Sequence, residues 1–233
     1  MRKHSFVPPG GRPRILINCA ASVDGKIANP DGTRALLSGK KDLRRVHLMR
    51  NGADAILVGV GTILADDPSL AVKEEFVKKG RRTPLKVVLD SSCRTTRDAR
   101  VLSSPGPTLI ATAEECQESV PGAEMVRCGK GRVDLGALMK VLASRGVWTV
   151  LVEGGGITIA SFLREGLWDQ MTIYYAPVVM GGTGGPTVAE GQIVRTGSGP
   201  ANVHLAAVRR LGEGVLVVLV PPSQVPKSNP RRR

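Results

Sequence analysis

The sequence predicts an α/β domain built on a largely parallel central sheet, with antiparallel C-terminal strands and helices on both faces. Three observations carry this expectation. Short apolar runs alternate with stretches of helical period along most of the chain. Aromatic residues make up only 3% of a chain that is 42% hydrophobic, so the core has to be built from Val, Leu, Ile and Ala, which suits a sheet covered by helices. Three late apolar runs then follow one another with no helical pattern between them, which implies strands joined without crossovers.

The elements are read in order. A first strand covers residues 14–20 (RILINCA). A helix over 38–50 has a weak apolar stripe of Leu43, Val46 and Met49, a strongly basic outer face and a stop at Asn51-Gly52. Further buried-type strands are expected at 54–59, 85–89, 108–111 and 147–152. Residues 134–145 put Leu135, Leu138, Met139 and Leu142 on one helical face, with Asp134 as N-cap and Gly146 just past the end. Another helical pattern occupies 157–164. The late strands are 170–179, 203–209 and 215–220. A hairpin across Arg209-Arg210-Leu211-Gly212-Glu213-Gly214 joins the last two, and Pro221-Pro222 ends the final one. Without a repeat or a composition break, one domain is expected over 14–221, between a basic flexible tail at 1–13 and a Pro/Arg-rich tail at 222–233.

The 233-residue chain carries a formal charge of +13, but the charge is uneven. Arg2, Lys3, Arg12, Arg14, Lys227, Arg231, Arg232 and Arg233 lie at the two ends, and removing these eight from +13 leaves +5. A modest surplus suits an enzyme that handles phosphorylated ligands, and it makes nucleic acid an unlikely partner. Cys19, Cys93, Cys116 and Cys128 form no Cys-x-x-Cys pair, and with His4, His47 and His204 they offer no zinc spacing. No metal is expected, and the thiols are expected to be reduced. No apolar run is long enough to span a membrane, and the first residues lack the apolar stretch of a signal peptide, so a cytoplasmic location is expected.

Four segments carry possible chemistry, each directly after a strand, where ligands bind in open α/β sheets. Ser22-Val23-Asp24-Gly25-Lys26 is either a ligand turn or an ordinary tight turn in which Asp24 bonds nearby backbone. In Gly59-Val60-Gly61-Thr62-Ile63-Leu64-Ala65-Asp66-Asp67-Pro68, two glycines permit close approach, and Thr62 and Asp66 share a face if the segment is one helical turn. It matches neither a Walker motif nor G-x-G-x-x-G. Asp90-Ser91-Ser92-Cys93-Arg94 offers hydroxyls and a guanidinium to a monophosphate, or simply caps and a surface ion pair. Glu153-Gly154-Gly155-Gly156 opens the helix at 157–164, an arrangement that favours a phosphate through free N–H groups and the helix dipole. Close helix packing is the alternative there. A charge at Glu153 is too costly to bury unpaired, and a polar substrate edge is its expected partner.

Taken in this order, the pieces Ser22–Lys26, Gly61–Leu70, Asp90-Ser91 and Glu153–Gly156 closely resemble the riboflavin-biosynthesis pyrimidine reductases, in their stand-alone archaeal and fungal form, over about residues 14–220. The resemblance implies a dihydrofolate-reductase-like fold, NADPH as hydride donor and a homodimer. It implies cofactor contacts at Ala20, Leu36, Thr62, Asp66, Ser91, Gly155, Gly156, Ile157 and Thr158, with Ser91 beside the 2′-phosphate and 155–161 around the diphosphate. Substrate contacts are implied at Arg50, Leu70, Lys73 and Glu153, more weakly at Arg34, with Arg50 and Lys73 suited to the ribose 5-phosphate. Lys73 stands where some relatives carry Arg, Ala71 where Thr is common and Cys93 where an aliphatic residue is usual.

The resemblance further implies reduction of 2,5-diamino-6-ribosylamino-pyrimidinone 5′-phosphate, since the zinc deaminase signature of the fused bacterial form is absent. Asp24, Lys26 and Glu153 are the expected catalytic set, one of them or a water supplying a proton while the cofactor supplies the electrons. Rival expectations are the deaminated substrate, a pteridine such as dihydrofolate, and a basic nucleotide- or nucleic-acid-binding module using Lys40-Lys41 and Arg44-Arg45.

Overall fold

A computed structural model describes residues 10–193 and 201–224. The aliphatic runs pair into a nine-stranded sheet of order β5-β4-β3-β2-β6-β1-β7-β9-β8. Its left half holds β5 (Glu124–Arg127), β4 (Thr108–Thr112), β3 (Leu85–Leu89) and β2 (Ala55–Gly59). Next come β6 (Thr149–Val152), β1 (Arg14–Ala21) and β7 (Gln170–Tyr175), and every pairing from β5 to β7 is parallel. Only β9 (Gly214–Val220) runs against its neighbours, β7 on one side and β8 (His204–Leu211) on the other. The expected antiparallel edge is therefore present, with β9 antiparallel to both β7 and β8; the run at 170–179 ends as a strand at Tyr175, and β7 also lies parallel to β1.

Helices cover both faces. On one, α4 (Leu135–Ser144) and α5 (Gly156–Arg164) bury Leu138, Leu142, Ile159 and Phe162 against Ile15, Leu57, Val87 and Val150. Asp134 caps α4 by accepting from the Ala137 N–H at 2.8 Å. On the other face, α2 (Val60–Asp66) and the short α3 (Arg100–Ser103) pack Ile63 and Val101 on Ile56, Val58, Val88 and Ile110. Helix α1 (Lys40–Gly52) lies on this second face over polar ground. There Arg45 reaches Asp42 at 2.8 Å and Thr172 at 3.4 Å, and Thr172 bonds Asn18 at 2.8 Å. These polar contacts explain the weak apolar stripe that the sequence shows for α1, since Asp42 and His47 are its buried residues.

The folded body is wider than residues 14–221. Arg12 forms a two-pronged ion pair with Asp169, at 2.7 and 2.9 Å, and Gln224 reaches the same carboxylate at 3.2 Å. The remainder of both expected tails, 1–9 and 225–233, lies outside the described residues. The elements missed by the sequence reading are β5, whose four residues show no continuous apolar run, the single-turn α3 and a 3-10 turn at Pro222–Gln224.

Candidate active site

Because β6 is inserted between β1 and β2, the chain leaves the carboxyl ends of these three strands in different directions, and a crevice opens there. It is a cleft of about 950 Å³ lined by the segments that follow β1, β2, β3 and β6. Its centre is the Glu153-Gly154-Gly155 turn. Gly154 and Gly155 have φ of 107° and 67°, a region that disfavours any side chain. Helix α5 starts at Gly156 with no side-chain cap, an arrangement in which the first N–H groups of a helix can take an anion. A Cβ on Gly155 would sit 3.3 Å from the Thr62 hydroxyl and 3.5 Å from that of Thr158, so both hydroxyls look onto the turn.

Thr62 and Asp66 lie one turn apart on α2 and both line the cleft, together with Ala20, Leu36, Ser91, Gly155, Gly156, Ile157 and Thr158. The fold thus brings every residue expected to touch a cofactor to one surface. Burial pushes the Asp66 carboxyl above its ordinary pKa, while the Arg34 charge works in the other direction. Leu36 and Ile157 are 87% and 70% exposed, apolar side chains held at the mouth. On the β3 side, Ser91 accepts from the Val133 N–H at 3.1 Å, and Ser92, Arg94 and Arg132 complete a cationic lobe.

The expected substrate residues divide. Arg34 and Glu153 line the cleft. Arg50 does not offer its guanidinium to a phosphate: Nε and Nη2 grip Glu153 at 2.6–3.1 Å, and Nη1 donates to the Ala71 carbonyl at 3.1 Å. The counter-charge expected from a substrate for Glu153 is supplied by the protein. Burial disfavours the Arg50 cation, but the adjacent Glu153 charge outweighs it and raises the Arg50 pKa. Leu70 is buried in the cluster around Ile56 and Ile63, at a φ of 53°. Lys73 is exposed beside Glu75 at 3.5 Å, and it lines a separate hollow of about 360 Å³. Its backbone N–H donates to His47 Nδ1 at 3.2 Å, and His47 stacks on Phe76 at 4.7 Å.

Two of the three expected catalytic residues stand outside the cleft lining. The Asp24 carboxylate accepts from the Met180 N–H at 3.0 Å and the Gly181 N–H at 2.8 Å. The Met180 amide first, then the Ser22 hydroxyl and the Gly181 amide, hold its pKa down at about 2. The Asp24 carboxylate is engaged by two backbone amides of the chain after β7, the kind of backbone bonding that the tight-turn reading of this segment expects. Lys26 pairs with Thr187 in an isolated β-bridge, and its N–H donates to Ser22 Oγ at 2.9 Å.

The expectation of four reduced thiols is also corrected. Cys93 and Cys116 are joined in a disulfide with their Cα atoms 6.2 Å apart, tying the loop after β3 to the loop after β4 beside Ser92 and Arg94. Residues 23 apart in sequence gave no spacing signal. Cys19 and Cys128 are free and buried, and burial pushes the Cys19 thiol up to about 12. Among the described residues no group of three potential ligands could hold a metal. The sequence reading also missed Arg132, Arg164 and Glu190, all in the cleft lining. Arg132 stands two residues before the Asp134 cap, and Glu190 follows a glycine-rich run at 181–185. Neither position carries a local signal beyond its neighbourhood.

Residues 13–217 match the RibD C-terminal domain model. The chain belongs to the RibD C-terminal domain family. Among relatives of this domain, the 2,5-diamino-6-ribosylamino-4(3H)-pyrimidinone 5′-phosphate reductase of Archaeoglobus fulgidus is 39% identical, over 88% of this chain and 97% of the relative. The protein of the same name from Methanothermobacter thermautotrophicus is 37% identical, with the same shares covered. In structure, the domain is similar to the Thermotoga maritima diaminohydroxyphosphoribosylaminopyrimidine deaminase/5-amino-6-(5-phosphoribosylamino)uracil reductase. The TM-score is 0.74 and the identity 27%, over 90% of this chain and 57% of that one. The Saccharomyces cerevisiae riboflavin biosynthesis reductase Rib7 shares the fold at a TM-score of 0.69 and 18% identity, with 92% of each chain covered. The dihydrofolate-reductase-like α/β architecture implied by the sequence motifs is the one this RibD C-terminal domain adopts.

Proposed function

We propose that this chain is an NADPH-dependent reductase that turns the ribosyl group of 2,5-diamino-6-ribosylamino-4(3H)-pyrimidinone 5′-phosphate into a ribityl chain. The observation that carries the reading is the uncapped amino end of α5, opened by Gly154 and Gly155 at the centre of the cleft and faced by Thr62 and Thr158. The substrate is taken from the names of the two archaeal relatives, which this chain matches over nearly their full length. Gly155, Gly156, Thr158 and Thr62 would hold the diphosphate of the cofactor, and Ser91, Arg94 and Arg132 its 2′-phosphate. That second phosphate is the reason for preferring NADPH to NADH.

NADPH, when bound, supplies the hydride. The glycosylamine of the substrate opens to an imine so that C1′ can be reduced, and the chain supplies position and charge. Arg50 fixes the Glu153 carboxylate in one orientation at the cleft wall. Glu153, which lines the cleft, or a water it holds, would then manage the proton. A cytosolic homodimer completes the reading. The test follows NADPH and, separately, NADH oxidation with the diamino substrate, its deaminated analogue and dihydrofolate. Turnover of the first alone with NADPH supports the proposal. Preference for the uracil analogue would favour the second activity in the Thermotoga protein's name, and silence with both pyrimidines would sink the reading.

A further inference from the structure

The cationic lobe of the cleft is built by the loops after β3, β4 and β5, and among the described residues no salt bridge engages its Arg94 or Arg132. In the loop after β3, the Asp90 carboxylate accepts from the Thr95 N–H and from the Thr95 hydroxyl, both at 2.7 Å. Between these two residues Ser91, Ser92 and Arg94 line the cleft, and Cys93, at a φ of 53°, carries the bridge to Cys116. A non-glycine residue keeps that backbone shape only where its surroundings over-determine it, and here the bridge and the Asp90–Thr95 contacts do so. The loop after β4 in turn holds the loop after β5. The Glu114 N–H donates to the Gly129 carbonyl at 2.8 Å, and the Glu115 carboxylate accepts from the Gly131 N–H at 2.9 Å. Arg127 Nε donates to the carbonyl of Cys116 itself, at 2.8 Å. The bridge therefore joins the loop of Arg94 to the loop that grips the residue before Arg132.

We propose that the Cys93–Cys116 disulfide is a specificity-determining element of the cleft: it holds Arg94 and Arg132 in one frame for the 2′-phosphate of NADPH, so that nucleotide choice follows the thiol redox state. The inference rests on the proposed placement of that phosphate in this lobe and deepens it. Exposed guanidiniums grip a phosphate well only when their backbones are already held, because ordering them on binding opposes the contact. With the bridge intact, that ordering is present before the nucleotide arrives. Reduction by a dithiol breaks the S–S bond to two thiols, with two electrons and two protons taken from the dithiol, which closes to its own disulfide. Both cysteines are half-buried rather than enclosed, so a small dithiol reaches them. Once they are parted, Cys93 is free to leave its φ of 53° and the two arginines lose their common frame. NADH carries no 2′-phosphate, and its binding is untouched by the change.

The test begins with thiol titration of the full chain, purified without reductant and then unfolded. The bridge leaves two of the four cysteines, Cys19 and Cys128, to react, and four reactive thiols would overturn the proposal. Binding of NADPH and of NADH is then measured by nucleotide fluorescence for the oxidised wild type, the dithiothreitol-reduced wild type and Cys93→Ser. Reduction and substitution are each expected to weaken NADPH about fivefold and to leave NADH unchanged. Should Cys93→Ser not fold, the reduced wild type carries the comparison. A disulfide that only stabilises the fold would lower Tm and shift both nucleotides alike. That result, or an NADPH preference independent of redox state, overturns the proposal while the cofactor reading stands. If the oxidised wild type binds NADPH no more tightly than NADH, the placement of the 2′-phosphate and the proposal fall together.

Discussion

At the scale of single residues, the Arg50–Glu153 pair decides how the cleft wall is held. Their side chains are only 16% and 9% exposed, and the guanidinium meets the carboxylate through two of its nitrogens. Removing one partner of a buried pair costs more than the pair contributes, because the other charge is left without compensation. Glu153→Gln is therefore expected to lose about 3 kcal/mol of stability in urea unfolding. The double variant Arg50→Met, Glu153→Gln should recover much of that loss without recovering kcat/KM, which separates the structural from the chemical role of Glu153. A single variant as stable as the wild type would contradict the pairing.

His47 gives a second expectation at this scale. Burial, then the Arg50 and Lys73 charges, push its pKa down to about 4, while Glu75 opposes them. The neutral ring accepts the Lys73 N–H, so the folded state refuses a proton that the unfolded chain takes below about pH 6.5. Stability should be unaffected by this group above pH 6.5, fall as the pH drops toward 4, and level off below. His47→Asn, which keeps an acceptor in place of Nδ1, should flatten Tm between pH 6.5 and 4. An unchanged slope would remove His47 as its source.

At the scale of elements, the site depends on how the turn after β6 meets the first turn of α2. Gly155 has a φ of 67° and faces two hydroxyls, so an alanine there is strained and crowds the Thr62 and Thr158 oxygens. Gly155→Ala is expected to weaken NADPH binding about tenfold while costing only about 1 kcal/mol of stability. A binding titration beside a urea melt checks the split, and equal binding would mean that the turn does not cradle a phosphate. The same elements show how far local pattern reaches. The α4 helix was legible to its cap because Asp134, the apolar face and Gly146 are all local signals. The β5 strand was not, because its half-exposed residues become a strand only by pairing with β4.

At the scale of the whole molecule, the sheet ends on an open edge. Every residue of β8 from His204 to Arg210 is exposed, among them Leu205 at 54% and Val208 at 57%. Unpaired edge strands with apolar side chains invite a partner, and the homodimer implied by the family resemblance would use one. Sedimentation should give twice the chain mass. Leu205→Lys with Val208→Lys should shift it toward the monomer with little loss of fold, and a wild-type monomer at micromolar concentration would contradict the dimer.

The sequence by itself determined the class of the fold and the strands that end at the cleft, because each rests on local periodicity; the nine cofactor positions were implied by the family resemblance, and the fold gathers all nine into the lining of one cleft. Tertiary structure alone decided what depends on partners distant in sequence. Arg50 meets Glu153 rather than a phosphate, Asp24 holds Met180 and Gly181 rather than a substrate, Cys93 finds Cys116, and Glu190 lies on Gly156. A charged side chain takes its role from whichever opposite charge or N–H the fold brings within about 3 Å, and no spacing along the chain encodes that distance.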